Sequence, residues 1–210
     1  MKKIIVTLPA YNEESLIYDS VSSLHNFCEK NLQNYDWCLV VADNNSTDGT
    51  AKIAKELEKE SAGKIIYKFI PQKGKGLAVK ESWKSFDADI YIFMDADLAI
   101  DLSAIPLLVK ELENGNDLVI GSRFIKSSSS KRSLIRKITS KSFSLITRLM
   151  FGLKIKDYSC GFKLIKKEVF EKVQPLVGEE KVTQIEMLVK AKRLGYKFAE
   201  IGVHHYPRKY

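Results

Sequence analysis

The sequence predicts an α/β protein with a mostly parallel central sheet flanked by helices. Three observations carry that prediction. Short β-branched or aromatic runs alternate with helix-periodic segments over the first 120 residues, the connections between them are short, and each apolar run ends abruptly in a polar cluster. Strands that alternate with helices at these lengths pair in parallel, because the intervening helix carries the chain back to the same edge.

Taken in order, Lys3–Leu8 reads as a β-branched strand that ends in Pro9-Ala10-Tyr11-Asn12-Glu13-Glu14. Leu16, Ile17, Val21, Leu24 and Phe27 then recur at helical spacing. Trp37–Ala42 is the second strand and runs into Asp43-Asn44-Asn45-Ser46-Thr47-Asp48-Gly49-Thr50; Ala51–Glu60 follows as a helix with Ile53, Ala54 and Leu57 inward. Lys64–Ile70 is the third strand, and Gly74-Lys75-Gly76 opens a helix through Phe86. Ile90–Met94 is apolar throughout and too short for a helix, so it reads as a strand buried on both faces. It ends in Asp95-Ala96-Asp97. A helix near Ser103–Asn114 and a strand Asp117–Ile120 lead into Gly121-Ser122-Arg123, and Ser127–Ser130 is a brief polar loop. Lys131–Phe151 reads as a basic amphipathic helix, and Tyr196–Val203 as a strand entering His204-His205-Tyr206-Pro207-Arg208. Residues 1–210 suit a single domain.

Composition narrows the function classes. With 45% hydrophobic and 29% charged residues the chain can bury a core and stay in solution, and no window reaches the roughly 18 apolar residues of a membrane span. Cys28, Cys38 and Cys160 show no metal-ligand spacing, which points to a reducing cytoplasm without structural disulfides. The net charge of +8 is concentrated: Ser122–Lys172 holds 14 basic against 3 acidic residues, while the rest of the chain holds 20 against 23. That favours a local anionic partner over general basicity. A nucleic-acid module is disfavoured, since no aromatic stacking pattern accompanies the basic segment.

In a parallel sheet the strand ends share one edge, so Asn12 and Glu13, Asp43 and Asn45, Lys73 and Lys75, Asp95 and Asp97, and Ser122 and Arg123 converge there. Two carboxylates two residues apart at the end of a buried strand are costly without a cation. A divalent metal holding a diphosphate would supply it; the alternative is that both aspartates cap the next helix or face water. Lys75, between two glycines at a helix start, is suited to phosphate or to a solvated turn. Asp43 can accept from a base N–H or ribose hydroxyl, while Thr47 and Asp48 are better placed to cap a helix.

These residues resemble a known family. Pro9-Ala10-Tyr11-Asn12-Glu13, Val40 through Thr50, Lys73-Gly74-Lys75-Gly76, Asp95-Ala96-Asp97, Gly121-Ser122-Arg123 and Asp157-Tyr158-Ser159-Cys160-Gly161-Phe162-Lys163 occur in one order. The chain is similar in them to family 2 glycosyltransferases of the dolichyl-phosphate mannosyl/glucosyltransferase type. The resemblance implies a GT-A (Rossmann-like) nucleotide-sugar-binding fold. It implies that Pro9, Tyr11, Glu13, Asp43, Asn45, Lys75 and Asp95 bind the donor nucleotide, and that Asp95 and Asp97 carry Mg²⁺ or Mn²⁺. Ala99 stands where mannosyl-type members often place a polar residue, and Asp95-Ala96-Asp97-Leu98-Ala99 looks more like the glucosyl branch; the resemblance implies a UDP- or GDP-linked donor of glucose or mannose. Many members continue into membrane helices after the position of Tyr210.

For the acceptor, the resemblance implies a polyprenyl or dolichyl phosphate. Arg123, Arg132, Arg136 and Arg208 are the candidates to hold its phosphate, with Lys131 beside them, since arginine grips phosphate oxygens in fixed geometry. Leu134, Ile138, Leu145 and Leu149 fall on one face of the basic helix, which suits peripheral contact of residues 131–151 with the cytoplasmic face of a membrane. The alternative is an ordinary surface helix with its apolar side packed inward. A lipid phosphate needs no general base, whereas a saccharide hydroxyl acceptor would require one; Glu186 and Asp157 are the carboxylates available. Gln184 replaces the first acid of the Asp-x-Glu that relatives usually present. Of the adjacent histidines, His205 is the one expected to face a pocket, because successive strand residues point to opposite faces. A binder of nucleotide-sugars without turnover is the remaining alternative.

Overall fold

The computed structural model describes residues 1–125, 128–130, 134–153, 155–178 and 180–206. Nine strands and seven helices are assigned along them: β1 Lys3–Ala10, α1 Ile17–Asn31, β2 Asp36–Asp43, α2 Thr50–Glu60, β3 Ile65–Phe69, α3 Lys75–Ser85, β4 Ile90–Met94, α4 Ala104–Glu113, β5 Leu118–Ser122, β6 Ser129–Ser130, α5 Leu134–Phe151, β7 Phe162–Lys166, α6 Lys167–Lys172, α7 Glu180–Arg193, β8 Phe198–Gly202 and β9 His204–His205. The chain sorts into two compact units. One comprises Met1–Leu98 with Pro175–Gln184; the other comprises Ala99–Gln174 and the chain from Ile185 onward.

The first unit is built on four parallel strands in the order β3-β2-β1-β4. Ile4, Ile5, Val6 and Leu8 of β1, Leu39 to Val41 of β2 and Ile90 to Met94 of β4 are buried on both faces. That explains why these strands are continuous apolar runs and not alternating ones. Helix α1 buries Ile17, Ser20, Val21, Leu24 and Cys28, one stripe at helical spacing. Helix α3 packs through Ala78, Val79, Ser82 and Trp83. Trp83 stacks on Tyr91 at 5.4 Å, and the buried Ser82 hydroxyl satisfies that of Thr7 at 3.0 Å. At the start of α2, Asp48 accepts from the backbone N–H and the hydroxyl of Thr50 and from the Glu14 N–H. Its slight burial raises its carboxyl pKa, but these bonds outweigh that and hold it below the ordinary value.

The second unit carries β7-β5-β8, with β5 antiparallel to β7 and parallel to β8. The antiparallel β7 modifies the all-parallel alternation read from the first 120 residues, and the sheet structure remains mostly parallel. Gly121 in β5 is closely packed: a Cβ there would meet Val203 Cγ1 at 3.0 Å and the Phe162 ring at 3.1 Å. Ser129–Ser130, expected as loop, pairs in parallel with His204–His205.

The three cysteines are free and buried. Burial pushes the Cys28 thiol up to about 12 and Cys38 up to about 11.

Candidate active site

In the first unit the register of the parallel strands decides what meets at their C-terminal edge. Ala10 pairs with Asp43, Asp43 with Phe69, and Thr7 with Phe93. The segments after β1, β2, β3 and β4 therefore emerge side by side, bringing together Pro9, Tyr11 and Glu13, then Asp43 and Asn45, then Lys73 and Lys75, then Asp95 and Asp97.

The turns after β1 and β2 are sewn to each other. Asn12 and Asn45 both take positive φ (54° and 62°), a region that asparagine tolerates better than most residues. The Asn12 carboxamide oxygen accepts from Thr47 N at 2.8 Å, and Asn12 N donates to Ser46 Oγ at 3.0 Å. Glu13 N donates to Thr50 Oγ1 at 2.8 Å, and Glu14 accepts from Gly49 N at 2.8 Å. Four hydrogen bonds across some 35 residues of sequence make this corner rigid before any ligand arrives.

Asp43, the expected ligand for base or ribose, sits low in the edge. It is 1% exposed, its Oδ1 accepts from Ser46 N at 3.0 Å, and its Oδ2 accepts from the Tyr67 hydroxyl at 2.7 Å. The carboxylate thus lies beneath the edge and holds the turn. Burial, then the Asp43 carboxylate, drive the Tyr67 pKa upward, so the phenol stays a donor. Asn44, which the sequence gives no role, is buried and fastens the next turn: its Nδ2 donates to Gln72 O at 2.7 Å, and its Oδ1 accepts from Gly74 N at 2.6 Å.

Two lysines of that turn sit on site residues. Lys73 Nζ donates to the Tyr11 hydroxyl at 2.8 Å and lies 4.8 Å from the ring centre. Lys75 Nζ donates to Asp95 Oδ1 and lies 5.4 Å from the Phe93 ring centre. After β4 the chain turns sharply, with Leu98 at φ 43° and its N–H on the Asp95 carbonyl at 3.1 Å. A bulky residue in that region is uncommon and signals a turn that its surroundings impose.

Asp95 and Asp97 are both partly exposed. Among the described residues, no three His, Cys, Asp or Glu side chains gather as metal ligands. At this edge Asp95, which draws the Lys75 ammonium, and Asp97 are the carboxylates that follow β4; with them a metal would take further oxygens from phosphate and water. That donor set fits Mg²⁺ or Mn²⁺ held together with a diphosphate.

In the second unit Arg123, a candidate for the acceptor phosphate, is anchored on protein. Its Nε and Nη2 donate to the two oxygens of Asp157 at 2.7 and 2.8 Å, and Nη2 also donates to Ser159 Oγ at 2.9 Å. Their side chains are 7% and 0% exposed. One bidentate edge of the guanidinium, Nε with Nη2, is committed to a buried carboxylate. Asp157 also accepts from Arg123 N at 3.0 Å, while Glu200 receives the Lys156 and Asp157 N–H groups at 2.9 and 3.1 Å. Burial alone would raise the Asp157 carboxyl pKa, but the Arg123 hydrogen bonds and charge override it and hold it below the carboxylate range. A carboxylate so held is a poor general base. Lys163, 1% exposed, donates its ammonium to the Cys160 carbonyl in the same cluster.

Glu186 lies on α7, 2.7 Å from Lys190 one turn on. His204 is exposed and His205 half-buried, the alternation expected of a strand. Lys131, Arg132 and Arg208 lie outside the described residues, as does the side chain of Arg136.

Helix α5 inverts the usual arrangement. Ile135, Ile138, Leu145, Ile146, Leu149 and Met150 are exposed, Leu149 at 75%, while Ser144 and Thr147 are buried. Ile138, Leu145 and Leu149 are three members of the apolar face expected from the sequence, so that face is turned outward, and a polar seam of small residues is turned in.

Fold and edge together define an α/β protein whose strand ends suit a metal-bound diphosphate. Residues 5–174 match the glycosyl transferase family 2 model, and the chain belongs to that family. It is 29% identical to glycosyltransferase AglD of Haloferax volcanii over 98% of this chain and 33% of that protein. It is 33% identical to a dolichol-phosphate mannosyltransferase of Pyrococcus furiosus, over 82% of this chain and 48% of that one. It is 30% identical to a dolichyl-phosphate beta-glucosyltransferase of Dictyostelium discoideum, over 95% and 65%. The chain thus spans from a third to just under two thirds of the length of these curated relatives. Among solved structures it resembles glucosyl-3-phosphoglycerate synthase of Mycobacterium tuberculosis, crystallised with Mn²⁺ and UDP-glucose. The TM-score is 0.71 at 21% identity, covering 100% of this chain and 72% of that one; this supports the GT-A fold.

Proposed function

We propose that this chain transfers a hexose, glucose or mannose, from a UDP- or GDP-linked donor to a polyprenyl or dolichyl phosphate, with inversion at the anomeric carbon. The observation that carries the donor half is the register of β1 to β4, which brings two carboxylates and two lysines to one strand edge beside a prestitched turn. Tyr11, Glu13 and Asn45 line the nucleotide side, with Pro9 at the end of β1 and Asp43 supporting the turn from below. Lys75 meets the diphosphate, and Asp95 and Asp97 hold a divalent ion. When bound, that ion stabilises the negative charge on the departing nucleoside diphosphate as a Lewis acid.

The acceptor half rests on two supports. Two of the relatives named above carry dolichyl or dolichol phosphate in their names, and α5 exposes an apolar face in the most basic segment of the chain. A phosphate oxygen attacks C1 of the sugar from the side opposite the diphosphate; the C1–O bond to the acceptor forms as the bond to the nucleotide breaks. The nucleophile is already anionic, so no proton need be removed. The commitment of Asp157 to Arg123 counts in the same direction, against a saccharide hydroxyl acceptor that uses Asp157 as base. Among the described residues no helix is long and apolar enough to cross a membrane; peripheral contact at the cytoplasmic face is the mode of access that α5 supports.

The test is a thermal-shift panel of UDP- and GDP-sugars with Mg²⁺ and Mn²⁺, since a ligand of the folded state raises its apparent stability by mass action. One nucleotide-sugar should raise the melting temperature in a metal-dependent way, and Asp97→Asn should remove both that shift and turnover while leaving the fold intact. Full turnover by Asp97→Asn in excess EDTA would sink the metal role. A panel with no shift for any donor would sink the donor reading.

A further inference from the structure

The strand edge already holds a cation at Asp95. Lys75 opens α3, and the backbone from which it springs is fixed, because Asn44 holds Gln72 O and Gly74 N on either side of the turn. The side chain is less confined. Its ammonium meets Asp95 Oδ1 and the face of Phe93, and the Lys75 and Asp95 side chains are 44% and 37% exposed. A pair this open contributes little, because water screens it. A diphosphate, with several anionic oxygens, is a stronger partner for the same ammonium.

We propose that Lys75 is a shared counter-cation: it neutralises Asp95 while no diphosphate is bound, and passes to the diphosphate when the donor arrives, releasing Asp95 to the divalent ion. This rests on the nucleotide-sugar reading above and adds to it a rule of binding order. The tether is anchored at its root, so the ammonium changes partner by side-chain rotation alone and the turn keeps its place. While Lys75 sits on Asp95, the edge repels a second cation and the metal alone binds weakly. Once the ammonium has moved, both carboxylates face the ion. Nucleotide and metal therefore strengthen each other's binding through Lys75 as well as through their own contact, and by linkage the effect is reciprocal.

Titration calorimetry of the chain with Mn²⁺ alone, with UDP and GDP alone, and with each nucleotide at saturating Mn²⁺ tests this. Lys75→Met keeps the length of the side chain and removes its charge. It should bind Mn²⁺ alone about tenfold tighter than the parent, because a cation within a few ångströms of the ion is gone. It should bind the nucleotide alone more weakly, and the factor by which nucleotide and metal help each other should fall. Lys73→Met, whose ammonium rests on Tyr11 instead, should leave the affinity for Mn²⁺ alone unchanged. Equal or weaker Mn²⁺ binding by Lys75→Met, with nucleotide binding by the parent intact, overturns this proposal alone. Failure of both nucleotides to bind the parent with or without Mn²⁺ overturns the donor reading and this inference with it.

Discussion

The two units treat charge and apolar surface in opposite ways. In the first, apolar faces are closed and the charged edge is open: β1, β2 and β4 are buried on both sides, while Lys75 and Asp95 stay near two-fifths exposed. In the second, the charge at a strand end is closed and an apolar face is open. Arg123 and Asp157 are sealed together beyond β5, and α5 presents Ile138, Leu145 and Leu149 to the outside. The first arrangement suits a small, polar, highly charged ligand that must come and go. The second suits a rigid scaffold that offers a greasy surface. A nucleotide-sugar and a lipid phosphate differ in the same two respects.

The largest expected effect lies in the sealed pair. Asp157→Ala leaves the Arg123 guanidinium buried without its carboxylate, and breaking a buried pair from one side costs about 3–5 kcal/mol. Urea or thermal unfolding should register a loss of that size, and a loss below about 1 kcal/mol would show that the pair is not sealed. The pH dependence has a definite sign. The folded Asp157 carboxyl lies below its unfolded value, so its stabilisation is complete above the ordinary carboxylate range and fades as pH falls through the folded value. Acid titration of the parent should show that fading, and Asp157→Asn should lack it.

The contrast between the units also explains what could be read from the sequence. The first unit was legible because its information is local: apolar runs mark strands, and polar clusters directly after them mark one edge. Even there, Asn44 has no visible role in the sequence, since its carboxamide acts on Gly74, 30 residues on. Nothing local announces Tyr67, 24 residues away, as a partner of Asp43. In the second unit the decisive partner of Arg123 lies 34 residues on, and an arginine at a strand end looks the same whether it meets a ligand or a buried aspartate. Strand β7 is hard to read from sequence because its run contains Lys163, which reads as a surface residue and is in fact buried. For α5 the periodicity gave the apolar stripe but not its direction. A helical repeat says that one side is greasy; only packing says whether that side meets protein.

The exposed stripe of α5 supplies the next prediction. Leu145→Glu with Leu149→Glu should lower binding to phosphatidylcholine vesicles containing phosphatidylserine by about tenfold or more, because the variant exchanges buried apolar area for charges that repel an anionic surface. Unfolding free energy should change by no more than about 0.5 kcal/mol, as expected for exposed positions. A large loss of stability with unchanged vesicle binding would mean that the stripe packs against protein, and the contrast between the units would collapse.

The smallest effect compares the two ion pairs directly. Both stand where a strand gives way to a turn, β4 for Lys75–Asp95 and β5 for Arg123–Asp157, and both join a cation to an aspartate. They differ in exposure. Lys75→Met should therefore alter unfolding free energy by less than about 1 kcal/mol, several times less than Asp157→Ala, although its effect on Mn²⁺ binding is large. Added salt should weaken the open pair and leave the sealed one nearly untouched, because screening acts on charges that water reaches. A loss from Lys75→Met as large as that from Asp157→Ala would make Lys75 a structural post. It could not then change partners when a diphosphate arrives, and the open edge of the first unit would be as fixed as the closed end of the second.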